Sequence, residues 1–152
     1  MELLPIRQTV EENEVFAMHP DCQDNLLSTL NYFNKIGYHP PWIGYYAQKD
    51  GELVGCAAYK GPPAAGKVEI AYGTFERFRQ QGVGTEIAKK LVEPAQATDS
   101  SVQITACTLP ENNFSTKILQ KNGFRYLGTV YDEEDRKVWG WTYEPASPTL
   151  SD

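Results

Sequence analysis

At 152 residues, with 41% hydrophobic and 12% aromatic content, the chain has the apolar material for one well-packed domain, is too short for two, and is no disordered segment. A formal net charge of −6 without any basic cluster speaks against a nucleic-acid partner. Such acidity attracts cations such as amines, and it is equally the ordinary charge of a well-dissolved protein. The three cysteines, Cys22, Cys56 and Cys107, are far apart, and no metal-type spacing joins them to His19 or His39. Cys56 and Cys107 lie in apolar strand-like runs and are expected to be buried as small hydrophobes. The start, Met1 to Pro5, lacks the basic and apolar regions of a secretory signal, and no run approaches the roughly 20 apolar residues that span a bilayer. A reduced, cytoplasmic protein with no metal and no membrane partner is expected.

In chain order, Leu3 to Arg7 reads as a first strand. Thr9 and Glu12 have capping-box spacing and predict a short helix ending near Pro20. Asp21 is the expected cap of a second helix, in which Leu26, Leu27, Leu30 and Phe33 recur at helical spacing and Gly37 terminates. After an aromatic loop from Tyr38 to Trp42, strands Ile43 to Lys49 and Glu52 to Tyr59 flank Asp50-Gly51, a type I′ hairpin signal. A Gly/Pro-rich connection over 61–66 then leads to the strand around Glu69. A helix from about Gly84 is expected to end or kink at Pro94. Val102 to Thr108 reads as a buried strand, and Ser115 to Asn122 as a helix stopped by Gly123, with Phe124 in C-terminal contact. Arg125 to Tyr131 and Lys137 to Tyr143 form a last hairpin across an acidic turn. The expected organisation is one mixed α/β domain over 1–144, with a Pro/Ser-rich flexible tail over 145–152.

The most informative stretch is the glycine turn Arg79-Gln80-Gln81-Gly82-Val83-Gly84-Thr85, set between a strand and an amphipathic helix. A helix start of this kind leaves main-chain N–H groups unpaired at the positive end of the helix dipole, a ready place for a pyrophosphate. A dinucleotide fingerprint would need glycine where Ile87 stands, and a nucleoside-triphosphatase loop would need lysine after Gly84. What remains is Arg-x-x-Gly-x-Gly after a strand, which is either an anion cradle or a tight turn that allows close packing.

A second motif resolves that choice. Thr108-Leu109-Pro110-Glu111-Asn112-Asn113-Phe114-Ser115, continuing through Leu119, Lys121 and Asn122-Gly123-Phe124, resembles the Asn-x-x-Ser…Leu-x-Lys-x-Gly-Phe segment of the ribosomal-protein-acetylating branch of the GNAT acyl-CoA N-acetyltransferases. Residues 79–84 resemble the same superfamily's coenzyme A loop, and the resemblance covers nearly the whole chain. It implies a GNAT fold, a twisted, mostly antiparallel sheet of about seven strands with about four helices. It implies acetyl-CoA as donor, a primary amine of a small molecule or a protein N-terminus as acceptor, and leaves a homodimer open. Two strands of that fold splay apart, and the pantetheine arm bonds their exposed main chain, here around Thr74, Phe75 and Glu76, with Glu76 in place of a frequent proline. Main-chain N–H groups from Gln80 through Gln81, Gly82, Val83 and Gly84 to Thr85 would hold the pyrophosphate. Arg79 either adds a charged contact or is a surface arginine. Asn112 bonds the pantetheine, or Asn112 or Asn113 caps the following helix.

Acetyl transfer needs a base, an oxyanion donor and a leaving thiolate. The oxyanion donor is a main-chain group that the sequence does not display. Glu69 points away from the face of Val68 and Ile70, and burial of its carboxylate would raise its basicity. It is either the base or a group that pairs with a cation or binds the amine. The family's frequent tyrosine on the last helix is replaced by Leu119, so Ser115 is the candidate to hydrogen-bond the leaving sulfur, ahead of Tyr72 and Tyr126, which have core explanations. For the acceptor, Trp42, Tyr45 and Tyr72 either wall a pocket or pack the core. Two other readings of the same fold remain: a non-catalytic acyl-CoA-binding module, and an enzyme using another short-chain acyl donor.

Overall fold

The structure is a computed structural model that describes residues 1–132 and 134–144. Seven strands form one sheet, β1 (Glu2–Pro5), β2 (Gly44–Lys49), β3 (Glu52–Tyr59), β4 (Lys67–Thr74), β5 (Gln103–Thr108), β6 (Phe124–Tyr131) and β7 (Lys137–Tyr143). Their spatial order is β1-β2-β3-β4-β5-β7-β6, and every neighbouring pair is antiparallel except β4 with β5. The α-helices are α1 (Glu14–Ala17), α2 (Pro20–Ile36), α3 (Val83–Thr98) and α4 (Phe114–Lys121). This is the expected mixed sheet with its expected element order. The tail expected over 145–152 lies outside the described residues.

Strand alternation divides the core into two layers. On one face, Ala57, Tyr59, Val68, Ile70, Ile104, Ala106 and Trp141 pack against Ile87, Leu91, Val92 and Ala95 of α3 and Leu119 of α4. On the other, Tyr46 and Leu53 pack against Cys22, Leu26 and Leu30 of α2. That second layer covers β1 to β3 only. Beyond it, Ala71 of β4 and Cys107 of β5 are exposed, which corrects the expectation that Cys107 is buried. Cys22 is the fully buried thiol, and all three cysteines are free.

Local signals act largely as their chemistry dictates. Asp50 and Gly51 both adopt positive φ, 52° and 80°, as a type I′ turn requires. Gly37 closes α2 at φ 98°, and Asn113 caps α4 in a capping box with Thr116. Two expectations at helix starts need correction. The cap of α2 is His19, whose Nδ1 accepts the N–H of Asp21 at 3.1 Å, with Pro20 following at the first helical position. In the Thr9–Glu12 pair, the Thr9 hydroxyl accepts the Glu12 N–H at 3.1 Å but donates to the Glu12 carboxylate, so only half of the box forms.

Pro94 does not stop α3, which continues to Thr98. Its exposed ring sits on the outer side, while Leu91, Val92 and Ala95 are anchored in the core and the Leu91 carbonyl accepts the Tyr59 hydroxyl at 2.5 Å. Burial of one face therefore outweighs the missing main-chain bond, which costs about 3 kcal/mol in a helix interior. Pro94→Ala is expected to raise the unfolding midpoint, by about 1–3 kcal/mol in stability; chemical denaturation checks this, and an unchanged midpoint would show the proline to be unstrained.

Candidate active site

Strands β4 and β5 pair in parallel from Lys67 with Gln103 to Ile70 with Ala106, and there the pairing ends. Past that point β4 stays with β3, pairing Thr74 with Gly55, while β5 stays with β7, pairing Thr108 with Trp139. The two strands diverge, and the main chain of Ala71 to Thr74 turns an unpaired edge toward the gap.

The glycine turn stands at the mouth of that gap. Gln80 and Gly82 are both left-handed, at φ 64° and 79°, a conformation that costs a non-glycine residue such as Gln80 about 1 kcal/mol. Gly82 caps α3 without any side-chain bond, so the N–H groups of Val83, Gly84 and Thr85 have no intrahelical acceptor, and Glu86 is the first to close a turn, onto Gly82 at 3.2 Å. The helix thus begins one residue earlier than the pattern suggested. Nothing lies within 4 Å of where a Cβ on Gly82 would project, so the main chain there is open to a ligand. Gly84 is different. A Cβ there would come within 2.6 Å of Ile118 and 3.2 Å of Thr74 Oγ1. Gly82 leaves its main chain open, whereas Gly84 is a packing contact between α3 and α4.

Two residues to which the sequence assigned no role of their own here fix this helix end. A Cβ on Gly55 would meet the Gly73 carbonyl at 2.3 Å and Ile87 at 2.8 Å, so its absence lets α3 settle onto β3 and β4. The Asn122 side-chain amide donates to the Thr85 carbonyl at 3.2 Å and the Ile118 carbonyl at 2.9 Å, tying the end of α4 to the first turn of α3. Arg79 is exposed and its Nε reaches the Thr74 carbonyl at 3.4 Å, bracing the loop against the end of β4. Glu76, Gln80, Gln81 and Asn112 are exposed around the same mouth, while Thr74 and Phe75 are half-buried at its floor.

Glu69 is not buried as expected. Its side chain is 34% exposed on the uncovered face, with Lys60 Nζ 3.6 Å away. Cys107 is exposed as a residue, but partial burial of its sulfur, and then the negative charge of Glu69, push the thiol up to about 11. Tyr72, three positions on, faces the other way and belongs to the layer under α3 and α4. Its hydroxyl donates to the Ser115 carbonyl at 3.4 Å. Ser115 lies in the first turn of α4, half-buried.

Trp42 and Tyr45 are not brought to Glu69. They edge onto Tyr59 at centroid distances of 5.1 and 6.3 Å, and with Pro41 and Pro94 they line a depression of about 310 Å³ at the C-terminal half of α3. The Tyr45 hydroxyl is committed to the Pro41 carbonyl at 2.6 Å. Tyr126 stacks edge-on against Trp139 at 5.2 Å and leans on Trp141 at 5.4 Å, a packing role.

Comparison with known proteins bears on the family and the fold. The family described as the acetyltransferase (GNAT) domain matches residues 7–125, and the chain belongs to that family. An uncharacterized N-acetyltransferase, YjdG of Bacillus subtilis (strain 168), is 35% identical over 104 residues, covering 67% of this chain; the chain spans 58% of that relative's length. AAC(6')-Ib, solved in complex with parmomycin and acetyl-CoA, superposes with a TM-score of 0.68 at 18% identity, covering 99% of this chain and 97% of its own. The ribosomal-protein-alanine N-acetyltransferase of Brucella melitensis gives 0.64 at 16% identity, covering 93% and 98%. At these identities the two structures bear on the fold. No helix among the described residues is long and apolar enough to cross a membrane.

The influence of Glu69 on the Cys107 thiol is open to a direct check. Because the carboxylate raises the thiol, Glu69→Gln is expected to lower the thiol pKa from about 11 and to speed alkylation of Cys107 severalfold at pH 8. Mass-resolved alkylation rates from pH 7 to 11 measure it; identical profiles would separate the two side chains.

Proposed function

We propose that this protein is an N-acetyltransferase that moves the acetyl group of acetyl-CoA to a primary amine by direct attack in a ternary complex. The observation that carries this reading is the divergence of β4 and β5 after Ile70 and Ala106, with the free N–H groups of α3 at its mouth. The donor chemistry fits the residues present. The unpaired edge of β4 from Ala71 to Thr74, continuing through Phe75 and Glu76, offers main-chain partners to an extended amide-bearing chain. Val83, Gly84 and Thr85 aim their N–H groups outward for a pyrophosphate, and Gln80, Gln81 and Gly82 shape the approach. Arg79 adds positive charge, and Asn112 borders the gap from the β5–α4 connection.

Glu69 is the proposed proton acceptor for the incoming ammonium, directly or through water. Its half-buried position on the face that α2 leaves bare lets an acceptor approach from the side opposite α3. Ser115 is the proposed hydroxyl near the leaving sulfur. Trp42 and Tyr45 lie in the depression against α3, on the side of the sheet away from Glu69. The acceptor is proposed to be an amine of a small molecule or a protein N-terminus, and the proposed setting is the cytoplasm, in keeping with three free thiols.

A broad panel of amines, scored by thiol released from acetyl-CoA, tests the reading. Release with at least one amine is expected; a coenzyme A-induced rise in Tm with no release from any amine would turn the protein into a binding module. Gly82→Val is expected to abolish that Tm rise while the fold survives, at a cost of about 1–2 kcal/mol for a left-handed β-branched residue; a retained rise would remove the phosphate role from the loop. Glu69→Gln is expected to cut turnover by about 100-fold, with coenzyme A affinity intact. Unchanged kinetics would take Glu69 out of the mechanism.

A further inference from the structure

Thioester cleavage leaves a negative sulfur in a partly dry cleft, and α4 carries no phenol to meet it, since residue 119 is a leucine with no exposed surface. The sheet brings one from the opposite wall. Tyr72 stands two positions past the last β4–β5 pair, on the face of Val68 and Ile70, with its ring packed against the core. Its hydroxyl reaches the carbonyl of Ser115. In an α-helix that carbonyl is the partner of the N–H four residues later, here Leu119. The phenol oxygen therefore lies beside the turn of α4 that carries residue 119.

At 3.4 Å the present bond is long for a hydroxyl donor, and the Ser115 carbonyl already has its helical partner. Turning the hydroxyl toward an anion in the gap would leave no buried group orphaned. Burial also pushes the phenol well above the ordinary tyrosine range, so it keeps its proton and acts as a donor at every working pH.

We propose that Tyr72, beside Ser115, is a second hydrogen-bond donor to the departing sulfur, supplied from β4 rather than from α4. The assignment rests on the acetyl-CoA reading above. In the step, the ammonium first gives one proton to Glu69. The amine nitrogen then bonds the acyl carbon and the C–S bond breaks, its electron pair going to sulfur. The second nitrogen proton leaves to water as the amide forms. Tyr72 holds the sulfur anion by its O–H and retains its own proton, and the thiolate is protonated by solvent after release.

Binding of coenzyme A and of desulfo-coenzyme A to the wild type and to Tyr72→Phe, measured by calorimetry at pH 9, tests this. A free thiol with a pKa of about 8.5 is then mostly anionic. Loss of a hydrogen bond to a charged group is expected to weaken coenzyme A roughly tenfold to a hundredfold, while desulfo-coenzyme A binds both proteins alike and shows the variant folded. Thiolate absorbance of the bound coenzyme is expected to titrate about one unit higher in the variant. Equal losses for both ligands would reduce Tyr72 to a packing residue, and no loss for either would show that its hydroxyl does not meet the sulfur; both results overturn the assignment. If the wild type bound neither ligand, the donor reading itself would fall, and this assignment with it.

Discussion

The parallel pairing of β4 with β5 is the constraint from which the rest of the site follows. Parallel neighbours cannot be joined by a hairpin, so the chain must cross over the sheet, and α3 is that crossover. Each strand also has an antiparallel partner on its far side that holds it further along its length than the parallel pairing does. When β4 follows β3 and β5 follows β7, the central ladder is the one that parts. The gap is thus a consequence of topology, and the start of α3 is delivered to its mouth by the same connection.

Position along that crossover is set by small residues rather than large ones. Gly55 admits Ile87 to the surface of the sheet, and Gly84 admits Ile118 of α4 to the flank of α3. Asn122 then closes the contact with two hydrogen bonds. With its first turn clamped from below and from the side, the helix can leave its outward N–H groups unpaired without fraying. Lys49 and Glu86 add an ion pair just inside that turn, half-exposed and so of modest weight.

Much of this was legible in the sequence, because the signals concerned are local. Asp50-Gly51, Gly37 and the glycine turn each solve a backbone problem within a few residues. What was not legible depends, apart from the cap at His19, on distant partners. His19 is a cap only because its ring nitrogen turns back onto Asp21, a role for which histidine is not a usual signal. Pro94 reads as a stop until the buried residues around it are counted together. The burial expected of Glu69 and Cys107 assumed a sheet covered on both faces, whereas α2 reaches only three strands. Tyr45 and Tyr46, adjacent in sequence, went to opposite layers by strand alternation alone, Tyr46 into full burial against Phe16 at 4.7 Å. The approach of Tyr72 to Ser115 joins residues 43 positions apart and leaves no mark in either neighbourhood.

The uneven covering of the sheet gives the gap two unlike sides. Toward α3 and α4 it opens into a layer of packed side chains, and toward the bare half of the other face it opens into solvent. The sheet is then a partition with a single slit, and two molecules that meet through it need never share a vestibule. On the proposed reading, donor and acceptor would each reach the slit from its own side of the sheet.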